Sequence, residues 1–321
     1  MGFLKNGTWH DEWAHNDEDS GEFERDESAF RNWITPDGSP GPTGEGGFAA
    51  EPGRYRLYIS LACPWAHRAN VARHLKGLTD AIELNVVHWL MKKGGWSFRE
   101  GECVTGDHAI GADHLHQLYT HAKPDYSGHV TVPVLWDTKT ETIVNNESAD
   151  ILRMLGTAFD DCGANDLDLY PADLRKEIDA LNDRVYDAVN NGVYKAGFAT
   201  TQDAYDKAVK PLFAVLDELE ERLEGREWLV GDRLTEADIR LWTTLIRFDP
   251  VYHTHFKCNI RRIADYPNLS ALTRRLYELD GIAETVNFRH IRHHYYESHE
   301  RINPNGIVPA GPDPLIPENN A

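Results

Sequence analysis

The rhythm of apolar and polar positions changes twice along the chain. Residues 1–53 hold no sustained period; they are polar, acidic and rich in Gly and Pro, as in Pro40-Gly41-Pro42-Thr43-Gly44-Glu45-Gly46-Gly47. That pattern predicts an irregular N-terminal extension. Its scattered Trp9, Trp13, Phe23, Phe30 and Trp33 predict that it lies against the folded body. Arg54 to Ser60 then alternates and is rich in β-formers, which predicts a strand. From Pro64 to about Lys76 the spacing is helical, and Gly77 ends it. Glu83 to Trp89 reads as a second strand, and 91–128 as a long connection with one short helix. Val130 to Asp137 is a third strand with Pro133 inside it, and Thr142 to Val144 a fourth in hairpin arrangement. Asn146-Glu147-Ser148 opens a helix through Leu155, with Ser148 as its cap. Strand, helix, strand, connection, strand, strand, helix is the thioredoxin-like order, an α/β layer architecture.

After Pro171 the period is helical throughout. Amphipathic stretches run at 172–190, 203–224, 235–248 and 267–287 with no strand pattern among them, which predicts an all-helical second domain. Thr235-Glu236-Ala237-Asp238 fits a capping box ahead of an apolar run. The tail from Asn303 carries five prolines and reads as extended. The organisation expected is α/β plus all-α: an extension at 1–53, a thioredoxin-like thiol-binding domain at 54–156, a linker at 157–170, and a helical domain with its tail at 171–321.

Composition narrows the partners. With 52 acidic and 33 basic residues the net charge is −19. Such a surface repels nucleic-acid phosphates and finds no attraction at anionic membranes. The basic residues are 11 Lys against 22 Arg. High acidity with few lysines predicts a high-salt environment, where screening relieves self-repulsion. Four widely spaced cysteines do not make a disulfide framework. No export signal and no apolar run of spanning length is visible, so the expectation is a cytoplasmic protein in a reducing compartment.

Cys63-Pro64 is the first chemical signal. Proline suits the first helical position, so the cysteine before it sits at a helix N-terminus, where open amides and the dipole favour a thiolate. His67 and Arg68 add positive field one turn on. A buried structural cysteine is the bland alternative; the strand–Cys-Pro–helix context favours the reactive one. Residue 66 is alanine, so an external thiol rather than a second cysteine would resolve a disulfide there. Val132-Pro133 is either a cis bond beside the cysteine, leaving backbone open to a peptide-like ligand, or an ordinary edge-strand proline. Ser148 either simply caps the helix, or the same exposed amides hold a carboxylate while Glu147 takes an amine, the two groups of a γ-glutamyl end. His114/His116, His253/His255 near Cys258, and His290/His293/His294 lack paired metal-ligand spacing, so no metal is expected. Tyr194, Tyr252 and Tyr295, with Tyr296, could pack or donate protons to a leaving phenolate.

Taken in order, these segments resemble the glutathionyl-hydroquinone reductases, the xi class of glutathione transferases. The resemblance spans roughly residues 30–300. It rests on Cys63-Pro64-Trp65-Ala66-His67-Arg68, Val130 to Asp137, Asn146-Glu147-Ser148-Ala149, Asn191 to Ala199, Arg247 to His253, His255 to Asn259, and His294-Tyr295-Tyr296. It implies a glutathione-transferase helical domain, a Cys63 nucleophile that attacks the sulfur of a thiol-conjugated hydroquinone, and Tyr194, Tyr252 and Tyr295 on the hydroquinone oxygen. It implies that Trp96, Val132, Glu147 and Ser148 hold glutathione, with Pro133 beside them, and that the protein is a homodimer without a tightly bound cofactor. One position departs: the family often has arginine where this chain has His129. A guanidinium suits the glycine carboxylate of glutathione and a neutral imidazole does not. The expected co-substrate is therefore glutathione or, by preference, γ-glutamylcysteine, which lacks that glycine.

Overall fold

The computed structural model describes residues 2–12, 17 and 19–316; Trp13 and Pro317 lie outside the described residues. The chain divides into two compact units, one formed by 1–14 with 26–168 and the other by 15–25 with 169–321. Chain order is therefore not unit order, because residues 15–25 belong with the helices that follow 168.

The first unit is built on a four-stranded sheet. Its strands are β3 (Tyr55–Ile59), β4 (Ile82–Val86), β6 (Val134–Asp137) and β7 (Thr142–Asn145), in the order β4-β3-β6-β7. β3 and β4 run parallel, joined by helix α1 (Pro64–Leu75), while β6 runs antiparallel to β3 and pairs with β7 as a hairpin. Helix α3 (Ser148–Thr157) follows β7 and packs with α1. Leu57, Ile59, Val134, Leu135, Ile143 and Val144 are all buried, so these strands carry apolar residues on both faces, as a covered sheet requires. This is the expected thioredoxin-like arrangement.

Three readings of this unit need correction. The extension is not irregular throughout: β1 (Phe3–Lys5) and β2 (Thr8–His10) form a hairpin, and β1 pairs with β5 (Gly128–His129) in a separate three-stranded sheet. The strand expected over 130–137 is shorter, because Pro133 has no N–H to give the ladder and pairing with β3 begins only at Val134. The second strand likewise stops at Val86; beyond it, the His88 N–H turns to the carbonyl of Ser97 at 2.9 Å. Between β4 and β5 lies the short helix α2 (His116–Ala122).

The second unit is helical. Its helices are α4 (Arg175–Val185), α5 (Gly192–Phe198), α6 (Gln202–Arg222), α7 (Glu236–Arg247), α8 (Pro267–Tyr277) and α9 (Phe288–Ser298). Two one-turn π-helical segments, Tyr186–Asn190 and Phe248–Tyr252, extend α4 and α7. The capping box forms: the Asp238 carboxylate accepts from the Thr235 N–H at 2.9 Å, and its other oxygen takes the Leu229 N–H at 2.8 Å. The stretch 267–287 is not one helix. It ends at Tyr277, Gly281 follows with φ 73°, and the chain restarts as α9. No described helix is long and apolar enough to cross a membrane.

Candidate active site

In the first unit the turn after β3 delivers Cys63 to the mouth of α1. Cys63 is the N-cap residue, extended at φ −78° and ψ 122°, and Pro64 takes the first helical position. The positive end of the helix dipole therefore favours negative charge at this half-buried sulfur. The Cys63 Sγ lies 3.6 Å from the Val132 carbonyl oxygen, and the Val132-Pro133 bond is cis. Of the two readings the sequence left open for Pro133, the cis bond is the one present, and the residue before it lies against the cysteine. The four cysteines form no disulfide. Cys258 is the contrast: it is fully buried, and desolvation pushes its thiol far up, which leaves it inert.

Glu147, not Ser148, caps α3. Its carboxylate accepts from the Ala149 N–H at 3.1 Å, and Ser148 is the first helical residue. A longer acid can still close the N-terminal turn, which the preference for serine at caps obscured. Glu147 also accepts from the Ser148 hydroxyl at 3.3 Å and from the Ser28 hydroxyl at 2.9 Å. Arg68 of α1 donates to the Ser148 hydroxyl at 3.4 Å, which ties the cysteine helix to α3. Trp96 is buried, and its carbonyl accepts the Leu115 N–H at 2.9 Å. His129 lies in β5, in the other sheet, with its Nδ1 2.5 Å from the Asp26 carboxylate.

Residue types alone did not reveal the supports. Tyr119 is completely buried; its hydroxyl donates to the Thr131 carbonyl at 2.8 Å and accepts from the Thr131 N–H and the Asn146 amide, each at 3.2 Å. It thereby joins the residue before Val132 to the residue before Glu147. The extension contributes Asp26, Ser28 and Arg31, whose guanidinium pairs with Asp150 of α3 at 2.5 and 3.1 Å. A lone serine or aspartate in an aperiodic stretch carries no signal of that kind.

The second unit gathers the three tyrosines. Tyr194 comes from α5, Tyr252 from the π segment after α7, and Tyr295 from α9. The Tyr295 hydroxyl is 2.6 Å from that of Tyr194 and 3.0 Å from that of Tyr252. Two hydrogen bonds among three phenols leave one proton more than those bonds use. Burial raises the Tyr252 and Tyr295 phenols well above their ordinary value, while the buried Arg247 guanidinium pulls the other way. Both therefore stay protonated at neutral pH, as donors must. Phe256 stacks on Tyr252 with centroids 5.5 Å apart and planes 10° from parallel. Tyr296 is committed elsewhere, its hydroxyl donating to the Pro250 carbonyl at 3.2 Å. Among the described residues no group of three or more His, Cys, Asp or Glu side chains is arranged to hold a metal ion.

Comparison with known proteins places this geometry. Residues 62–158 match the glutathione S-transferase N-terminal domain and residues 202–275 its C-terminal domain. The glutathionyl-hydroquinone reductase YqjG of Escherichia coli K12 is 58% identical over 313 residues, covering 97% of this chain and 95% of that protein. The chain belongs to the glutathionyl-hydroquinone reductase family.

A second relative of that name, PcpF of Sphingobium chlorophenolicum, is 53% identical over 317 residues, 99% of this chain and 98% of its own. The glutathione-bound structure of E. coli YqjG superimposes with a TM-score of 0.90, covering 97% of this chain and 96% of that one at 56% identity. Coverage is close to complete on both sides.

Proposed function

We propose that this protein is a thiol-dependent reductase that removes the thiol group from thiol-conjugated hydroquinones. The observation that carries the reading is Cys63 at the head of α1, its sulfur against the Val132 carbonyl before cis-Pro133. In the first step the Cys63 thiolate attacks the conjugate's sulfur. An S–S bond forms and the C–S bond to the aromatic ring breaks. The proton of the neighbouring hydroxyl has first moved to the ring carbon that bears the sulfur, giving the keto tautomer, so that carbon keeps its hydrogen. The electron pair passes to the oxygen, which takes up a proton as the aromatic part leaves as hydroquinone. The Tyr194–Tyr295–Tyr252 chain supplies that proton at the hydroquinone oxygen and regains it from water. In the second step a free thiol attacks the mixed disulfide, releases the thiol disulfide and returns Cys63. The second thiol provides the electrons, so the scheme requires no bound cofactor.

Val132 backbone, Glu147, Ser148 and Trp96 hold the thiol in this reading, with Glu147 on the amine and Ser148 on the carboxylate of the γ-glutamyl end. A relative crystallised with glutathione supports a ligand of that class. His129 bears on which thiol is preferred. Its imidazole faces the Asp26 carboxylate at 2.5 Å, and an acid at that spot disfavours a further carboxylate. The preferred thiol is accordingly γ-glutamylcysteine over glutathione, used in a high-salt cytoplasm.

The test is turnover of a thiol-conjugated hydroquinone at high salt by wild type and Cys63→Ala, with the two thiols in parallel. Wild-type turnover that disappears in Cys63→Ala is the expected result. Undiminished turnover in the mutant would remove Cys63 from the mechanism, and a higher kcat/KM with glutathione would reject the γ-glutamylcysteine preference.

A further inference from the structure

A short stretch ahead of the thioredoxin-like body belongs to the helical unit, and nothing in the scheme above uses it. Gly21 has φ 73°, and a Cβ there would stand 2.5 Å from the Thr200 hydroxyl, so only glycine lets the chain settle so closely. The Thr200 N–H donates to the Gly21 carbonyl at 3.1 Å, and the Thr201 hydroxyl to the Ser20 carbonyl at 2.9 Å. Two residues on, the Phe23 ring stacks on Phe198 and on Tyr194, with centroids 5.4 and 6.2 Å apart. The docking places Arg25. Its guanidinium carbon lies 5.1 Å from the Tyr194 ring centre, and its Nε donates to the Asn191 side-chain oxygen at 2.9 Å.

We propose that Arg25 is a positioning residue for the phenol chain, a fixed cation on Tyr194 that favours its giving up a proton to the departing hydroquinone. This rests on the role given to Tyr194 above. A guanidinium over an aromatic face is attracted by the ring quadrupole. The attraction grows when the phenol becomes a phenolate, because the ring then carries net negative charge. Arg25 therefore stabilises the state after proton donation more than the state before it, which is the differential a catalyst needs. The hydrogen bond to Asn191, one turn before Tyr194 on the same stretch, keeps the cation in register with the ring. The fold supplies a reason for an arginine at this point in a chain of net charge −19, with Glu22 and Glu24 as its near neighbours.

Arg25→Gln removes the cation and keeps a polar side chain that can reach Asn191. We expect kcat to fall roughly fivefold, the rate equivalent of about 1 kcal/mol, with KM for the thiol unchanged. The alkaline limb of the kcat profile moves to higher pH, since the phenol then holds its proton more tightly. Arg25→Lys recovers most of the rate. An ultraviolet titration of the enzyme without substrate reads the same effect independently: one tyrosine titrates higher in Arg25→Gln than in wild type. In a Tyr194→Phe background the Arg25→Gln change has no further effect on either readout. Full additivity of the two changes, or an unmoved titration, would overturn the proposal. Failure of wild type to turn over the conjugate would instead reject the hydroquinone reading and leave the titration to decide Arg25.

Discussion

At the scale of single residues, burial decides which chemistry each side chain can do. Cys63 and Cys258 are the same thiol, yet one heads a helix half in solvent and the other is sealed with its proton held tightly. Tyr119 shows the same logic applied to support. Its hydroxyl satisfies the Thr131 N–H, the Thr131 carbonyl and the Asn146 amide at once. Tyr119→Phe removes that hub and leaves buried polar groups without their partner, which costs about 1–3 kcal/mol. The Val132 carbonyl and Glu147 follow directly after Thr131 and Asn146, so slack there reaches both contacts proposed for the thiol. The expected result is a KM for the thiol raised roughly fivefold to tenfold, with the rate of Cys63 alkylation by a small reagent unchanged. Steady-state kinetics and iodoacetamide labelling measure the two quantities, and an unchanged KM would mean that Tyr119 serves packing alone.

At the scale of elements, close approach of α5 to Phe256 holds the phenol end together. A Cβ on Gly197 would lie 2.1 Å from the Phe256 ring, and Phe256 is the ring stacked under Tyr252. Gly197→Ala gains helix propensity, worth up to about 1 kcal/mol, and loses more by overpacking, about 1–3 kcal/mol. Phe256 has to move and Tyr252 with it. We expect turnover of the conjugate to fall at least about tenfold, while Cys63 reactivity in the other unit is untouched; a variant as active as wild type would show that Phe256 has room to give. Element by element, the sequence was readable where period and caps agree. The β3–α1 turn with Cys63-Pro64 is as read, and the Asp238 capping box forms. It misled where local detail overrides a pattern: Pro133 shortens a strand, α8 ends at Tyr277 ahead of a turn that holds Gly281, and Glu147 takes a cap that serine was expected to fill. The π segments carrying α4 toward α5 and α7 toward Tyr252 have no counterpart in apolar spacing, because a single wider turn barely changes it. The hairpin β1–β2 escaped notice for another reason: its strands are three residues each, too short to establish alternation.

At the scale of the whole molecule, the first 31 residues are shared between the units, with 15–25 assigned to the helices and 26–31 to the thioredoxin-like body. The sequence marked this stretch as irregular but lying against the folded body, and its acids and arginines are used one at a time. Asp26 meets His129, Arg31 meets Asp150, and Glu22 meets Lys207 at 3.2 Å. Of these, Glu22–Lys207 is exposed on both sides, and such a pair stabilises little, whereas Asp150 and His129 are largely shielded. The pairs stand against the general repulsion of a chain with 19 more acids than bases. Salt acts on the two with opposite sign: it weakens each pair slightly and damps the long-range repulsion strongly, since the screening length falls from about 10 Å at 0.1 M to about 3 Å at 1 M. Each pair uses a base as well as an acid, so pairing cannot remove the net excess of 19 acids, and the repulsive side dominates. Raising KCl from about 0.1 M to about 1 M should therefore lift the thermal unfolding midpoint by roughly 5 °C. Sucrose at matched osmolality should give a smaller rise, because it excludes itself from the surface without screening charge. A midpoint that stays level or falls in KCl would mean that the ion pairs outweigh the repulsion, and the acidic composition would then need a cause other than salt.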